Sequence, residues 1–133
     1  MRVADWESRL KLAIQRHMEL PSAYGVSDCY IIADDAVEAV TGKRMYSRAR
    51  NYKTAKGAAK RLLAHGFQTV EDAFAAKFAR VPVMLAQRGD IGVVYRGGEV
   101  IGGVFTGIGF ITRDKDHMTI LPFAEVTHAF KVD

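Results

Sequence analysis

Apolar residues recur at spacings of three and four through the first half of the chain, and this period predicts helices. The stripe of the first helix reaches His17 shortly before Pro21, which ends the helix, so we expect His17 to be a solvated residue near the helix end. The residues that the third helix is expected to bury are Ala58, Ala59, Leu62 and Leu63. The predicted helices cover residues 4–18, 28–41, 53–64 and 69–78.

The second predicted helix carries the only cysteine of the chain, Cys29, in its first turn. Ser27 or Asp28 can cap this helix, because a short polar side chain at that place accepts a hydrogen bond from a free backbone N–H. The apolar stripe consists of Cys29, Ile32, Ala33, Ala36, Val37 and Val40. The acids that fall largely on the opposite side, away from the expected core, are Asp34, Asp35 and Glu38.

From Gly89 onward the pattern changes to short apolar runs separated by turn residues, which predicts strands. Gly97 and Gly98 between residues 90–96 and 99–106 are typical of a hairpin turn. Two shorter strands flank the turn at 114–116, and a single helical turn leads to a last strand. Because helices come first and strands later, the fold class is predicted to be α+β, with N-terminal helices packed on a small, curved antiparallel sheet.

Composition limits the class of protein. The length of 133 residues fits a single domain, 1–133. No apolar stretch approaches the roughly 18 residues that a membrane span needs, and the start has no apolar segment typical of a secretory signal. A single cysteine excludes an internal disulfide, so we expect folding in a reducing cytoplasm.

The net charge is +4, and the excess is concentrated between residues 43 and 61, where no acid occurs. Such a run is expected to be a solvated surface, and it could also contact an acidic partner protein or nucleic acid. Only Tyr46 and Tyr52 are interleaved with the charges, which makes a nucleic-acid surface the weaker alternative. We call this set of side chains the basic face; it consists of Lys43, Arg44, Arg48, Arg50, Lys53, Lys56, Lys60 and Arg61.

Cys29 is a candidate nucleophile, because the start of a helix favours the thiolate form; the alternative is a small core residue. A cysteine nucleophile needs a base within hydrogen-bond reach. His117 and His128 lie in or beside predicted strands and are the candidate bases, whereas His17 and His65 lie near helix ends. The chain has neither HxxxH nor HxH spacing, so we expect no metal site and no cofactor.

Three segments in this order resemble the NlpC-type cell-wall peptidases, which are papain-like cysteine peptidases and amidases: "AYGVSDC", "QRGDIGVV" and "IGGVFTG". The chain is more closely similar to a family of uncharacterised phage and prophage proteins that are related to these enzymes and encoded among tail-tip assembly genes. Further matching segments are "AVEAVTG", "YKTAKGAAKRLLAHG" and "MTILPFAEVTHAFKV". The resemblance implies a papain-like fold with Cys29 at the nucleophile position.

The chain departs from the active enzymes at two places. Ile101 occupies the position where the resemblance places the catalytic histidine, and Tyr30 and Ile31 stand where the enzymes tend to have Ser-Gly after the cysteine. We therefore expect a phage tail-tip or tail-assembly protein that lacks peptidase activity and contacts other proteins of the tail hub. It would be located in the host cytoplasm during assembly and then in the virion tail. The alternative is an active peptidase or amidase that cleaves peptidoglycan peptides during DNA entry.

Overall fold

A computed structural model describes residues 1–47, 49–113 and 116–133. In these ranges, four helices precede a six-stranded antiparallel sheet of order β1-β6-β2-β3-β4-β5, so the predicted α+β class is confirmed. The helices are α1 Trp6–Glu19, α2 Cys29–Thr41, α3 Ala55–Ala64 and α4 Val70–Lys77. The strands are β1 Arg80–Val81, β2 Ile91–Arg96, β3 Glu99–Thr106, β4 Gly109–Arg113, β5 Met118–Leu121 and β6 His128–Phe130. Arg48 and most of the predicted turn at 114–116 lie outside the described residues.

The β2–β3 hairpin forms where its glycines predicted it. Arg96 pairs with Glu99, which leaves a loop of Gly97 and Gly98 with φ of 58° and 78°. Both values lie in the left-handed region that a tight hairpin turn requires and that glycine adopts without strain. Because this turn fixes the register, it also decides which side chains of β3 face the helices.

The sheet buries apolar side chains on both faces. On one face, Val93, Val104 and Ile111 pack with α2 and α4 in the main core. On the other face, Val94 and Phe105 belong to a second cluster, beside two short 3-10 turns at Val83–Leu85 and Phe123–Glu125.

The third helix packs more loosely than its pattern predicted. Ala58 and Leu62 are half-buried against the main core, as expected. Ala59 and Leu63 are exposed, and burial of these two residues was therefore a wrong prediction. The physical reason is that α3 lies at the margin of the core, so only a narrow stripe of the helix has a partner to cover it.

A buried polar cluster between α1 and α2 corrects two predictions. His17 is fully buried, not solvated, and Asp34 and Asp35 are buried as well. The ring of His17 bridges Ser27 Oγ at 2.7 Å from Nδ1 and Asp35 Oδ2 at 2.6 Å from Nε2. The polar side of α2 is therefore a packed interface, and its charges are tolerated because each has hydrogen-bonding partners.

Two arginines, one from α1 and one from the segment that follows α2, complete the cluster. Arg50 Nη1 donates to Asp35 Oδ1 at 2.6 Å, and Arg16 Nη2 donates to Asp35 Oδ2 at 2.9 Å. Burial raises the pKa of Asp35, but hydrogen bonds from His17 and Arg50 outweigh it and hold the pKa well below the ordinary value. Arg113 from β4 donates to the carbonyl of His17 at 2.8 Å, which joins the end of α1 to the sheet.

We predict that Asp35→Asn lowers the free energy of unfolding by about 3 kcal/mol at neutral pH, because it removes one partner from a buried ion pair. A depressed carboxyl pKa stabilises the fold above the unfolded value of about 3.9, and this contribution is lost as the pH falls toward the folded value. The deficit of the variant should therefore shrink below about pH 4. Urea unfolding at several pH values measures it.

The matched control is Glu38→Gln, which removes an acid of the same helix that pairs with Arg44 at the surface. Its effect should stay below about 1 kcal/mol, as is usual for exposed ion pairs. Equal effects of the two substitutions would contradict the central role assigned to Asp35.

Candidate functional site

Cys29 is the first residue of α2, which confirms the predicted position in the first helical turn. Asp28 is the N-cap residue, and its Oδ1 accepts a hydrogen bond from the N–H of Ile31 at 2.9 Å. Its Oδ2 accepts from the Tyr52 hydroxyl at 2.6 Å and from the Gly25 N–H at 3.0 Å. These bonds fix the segment before the cysteine, so Cys29 lies in a rigid place rather than on a mobile loop.

The start of α2 lies directly on strand β3. A Cβ atom added to Gly102 would lie 3.1 Å from the carbonyl oxygen of Cys29 and 3.0 Å from Cζ of Phe74. Both distances are shorter than comfortable contacts, so only glycine fits at this point without a shift of its neighbours. The β3 residue closest to the cysteine therefore has no side chain.

Ile101 does not face Cys29, and this corrects its assignment as the residue that replaces a base. It pairs with Val94 and packs in the second cluster, on the face of the sheet opposite the helices. Side chains alternate along a strand, so the residues of β3 on the side of Cys29 are Val100, Gly102, Val104 and Thr106. The first three cannot accept a proton, and the hydroxyl group of Thr106, at the far end of the strand, donates to the carbonyl oxygen of Gly109.

The thiol of Cys29 is kept neutral. Burial raises its pKa to about 11; hydrogen bonding from the Gly102 backbone opposes the rise, and the nearby carboxylates of Asp28 and Glu99 add to it. The favourable effect of a helix start, worth about 0.3–1 kcal/mol, is too small to compensate. Cys29 is half-buried and is a protonated thiol at neutral pH.

Within the described residues, which include all four histidines, no hydrogen bond joins a histidine nitrogen to the Cys29 sulfur. His117 is exposed and directly precedes the edge strand β5. His65 is exposed near the end of α3, as predicted, with Nδ1 2.9 Å from the carbonyl oxygen of Arg61. His17 is held in the buried cluster.

The other candidate base, His128, faces the same side of the sheet as Cys29. It lies opposite Val93 on β2, and Val93 in turn lies opposite Gly102 on β3. Two strand spacings of about 4.8 Å therefore separate its backbone from that of Gly102. Its Nε2 is 3.9 Å from Oε2 of Glu71, on helix α4. The same helix presses Phe74 against Gly102, so α4 covers the row between the histidine and the cysteine.

Sequence reasoning missed a Ser27–His17–Asp35 arrangement with the components of a hydrolase triad. The burial of these residues argues against catalysis, since Ser27 is 1% exposed and His17 is 0% exposed. A substrate carbonyl cannot reach the Ser27 hydroxyl, and the three residues act as a structural bridge. One signal could have identified it: a histidine on an apolar helix stripe needs a buried polar partner.

The basic face is exposed in part. The prediction that Arg50 belongs to a solvated surface was wrong, because its side chain is half-buried and paired with Asp34 and Asp35. Arg61 is also half-buried and donates from Nε to the carbonyl oxygen of Asn51 at 3.0 Å. Arg48 lies outside the described residues. The exposed members are Lys43, Arg44, Lys53, Lys56 and Lys60.

Two concave regions lie near these residues. A cleft of about 610 Å³ is lined by Ser47, Arg50, Asn51 and Arg61. A smaller apolar cavity of about 70 Å³ lies beside Cys29, and aromatic residues including Tyr24 and Tyr52 line it. Among the described residues, no group of three or more His, Cys, Asp or Glu side chains could hold a metal ion.

A family model described as domain of unknown function (DUF6950) matches residues 1–132, and the chain therefore belongs to this family. No curated protein and no solved structure matches the chain. Within the described ranges, no helix has the length and apolar character needed to cross a membrane.

We predict slow alkylation of Cys29 by iodoacetamide. A pKa of about 11 against about 8.5 for free cysteine lowers the thiolate fraction at neutral pH by about a hundredfold or more. Mass spectrometry of the alkylated protein over a pH series should show an alkylation rate that rises with pH until the pH at which the protein unfolds. Glutathione serves as the reference thiol, and a rate plateau near neutral pH would contradict the raised pKa.

We also predict that Gly102→Ala lowers the free energy of unfolding by about 1–3 kcal/mol, because the added methyl group overpacks the contact with Phe74 and Cys29. Gly107→Ala is the control, since a Cβ there would meet its nearest neighbour, Cδ of Arg88, at an ordinary 3.6 Å. Thermal and urea unfolding measure both variants. A neutral Gly102→Ala would show that α2 does not press on β3 as closely as described.

Proposed function

We propose that this member of an uncharacterised family is a structural protein of the phage tail tip that has a papain-like fold and lacks peptidase activity. The observation that carries the loss of activity is Gly102: the strand position in contact with the Cys29 backbone has no side chain. The protein would assemble in the host cytoplasm, remain in the virion tail and contact other proteins of the tail hub.

The chemistry of amide hydrolysis supports the absence of turnover. A thiol must first lose its proton, and the leaving amine must then gain one, so a positioned acid–base group is needed at both steps. Burial disfavours the first step by raising the Cys29 pKa, and no histidine nitrogen among the described residues is bonded to the sulfur. Acid–base help is worth about 10²–10⁴-fold, so the residual activity should be negligible.

The papain-like part of the proposal is supported by the order of the elements. A helix that begins with a cysteine comes first and rests on the antiparallel sheet that follows. The tail-tip part rests on the resemblance of ordered segments from the start of the chain to its last strand. Fold likeness alone does not give function, and for this reason the two parts need separate tests.

An active peptidase is the alternative, and the position of Cys29 favours it. The cysteine is the first residue of a well-capped helix and borders a cavity of about 70 Å³. Activity would require a base that approaches only when substrate binds. His128 is the candidate that shares the correct face of the sheet, and α4 would have to move for it to reach the sulfur.

The first test is incubation of the purified chain with peptidoglycan and with synthetic cell-wall peptides. We expect no release of soluble fragments by chromatography, and the Cys29→Ala variant should behave identically. Cleavage that disappears in Cys29→Ala would establish the alternative. Separate substitution of His117 and His128 by alanine would then identify the base.

The second test is genetic. Deletion of the coding gene from the phage or prophage that carries it should yield particles with defective tail tips in electron micrographs. Complementation with either the unchanged chain or Cys29→Ala should restore normal tails, because the proposed role needs the fold and not the thiol. Normal tails after deletion would contradict the structural role.

A further inference from the structure

We propose that the cleft lined by Ser47, Arg50, Asn51 and Arg61 binds carboxylate side chains of an acidic segment on a partner protein. This inference rests on the proposed function, since it names the chemistry of the partner in the tail. The cleft volume of about 610 Å³ lies within the range of about 300–1,000 Å³ that is usual for ligand-sized sites.

The guanidinium group of Arg50 lines the cleft and is held in place by buried carboxylates. Arg50 Nη1 donates to Asp35 Oδ1 at 2.6 Å and lies 3.5 Å from Asp34 Oδ2. Within the described part of the chain, its Nε and Nη2 groups donate to no acceptor. Because the buried carboxylates fix the arginine, its remaining donors are positioned before a ligand arrives, and little side-chain entropy is lost on binding.

Arg61 also lines the cleft and is held by a different anchor. Arg61 Nε donates to the carbonyl oxygen of Asn51 at 3.0 Å, which leaves the terminal nitrogens without a partner among the described residues. Two fixed guanidinium groups around one cleft suit planar anions such as carboxylates, which accept paired hydrogen bonds from arginine. Ser47 supplies a hydroxyl group beside them.

The surroundings favour an anion and a protein partner. Lys53, Lys56 and Lys60 are exposed on or just before α3. The carboxylates of Asp34 and Asp35 offset part of the charge of Arg50, but Arg61 and the three lysines add positive charge in the same part of the chain, which attracts anions. A nucleic-acid strand usually stacks bases on exposed aromatic rings. Tyr46 and Tyr52, the aromatic residues of residues 43–61, instead pack inside, with hydroxyls bonded to the Ala73 carbonyl and to Asp28.

The test is fluorescence anisotropy of labelled hexaglutamate with the full chain at low ionic strength. We expect saturable binding that Arg61→Gln weakens by about tenfold, the effect of losing a charged hydrogen bond. Lys60→Gln removes the same charge from the neighbouring exposed position and should weaken binding less than about twofold. Ser47→Asp places a carboxylate in the cleft and should abolish binding. An unchanged thermal unfolding transition confirms that each variant is folded.

Equal weakening by Arg61→Gln and Lys60→Gln would overturn the inference, because diffuse surface charge would then account for binding. Tighter binding of a short DNA duplex than of hexaglutamate would overturn it in favour of nucleic acid. If hexaglutamate does not bind while Cys29→Ala still restores tails, the cleft assignment fails and the proposed function stands. If hexaglutamate binds but deletion leaves tails normal, the cleft is an acidic-peptide site in a protein of another role.

Discussion

The carboxylate of Asp35 is the point on which the arrangement of the helices depends. It accepts hydrogen bonds from His17 and Arg16 of α1 on one oxygen and from Arg50 on the other. Through the ring of His17 it also fixes Ser27, two residues before the cysteine. Since this network sets how α1, α2 and Arg50 meet, it also positions the Cys29 end of α2 on the sheet and the Arg50 side chain in the cleft that it lines with Arg61.

Most of the elements could be predicted from the sequence, because helix periods, caps and glycine turns are local signals. The polar cluster could not. The rule that polar residues of an amphipathic helix face solvent placed Asp34 and Asp35 outside, but their partners come from α1 and from a segment beyond the end of α2. A helix that carries charged residues can be recognised as buried on all sides only when the positions of the residues that neutralise those charges are known.

The candidate site around Cys29 was also predictable only where it depends on residues that are close in sequence. Cap residues were sufficient to place Cys29 at the start of a helix, since that placement depends on neighbours in sequence. The strand position opposite the cysteine was assigned one residue too early, at Ile101 instead of Gly102. A strand alternates its faces at every residue, so an offset of one moves a side chain to the other side of the sheet. The cleft escaped notice because it joins Arg50 and Arg61, whose anchors are set by tertiary contacts.

The neutral thiol of Cys29 has a consequence for the redox behaviour of the protein. Disulfides form and exchange through attack by a thiolate, and oxidation to sulfenic acid follows the same preference. A half-buried cysteine with a pKa of about 11 reacts poorly by either route. We therefore expect mixed disulfides and covalent dimers through the single cysteine to form more slowly than with an ordinary exposed thiol.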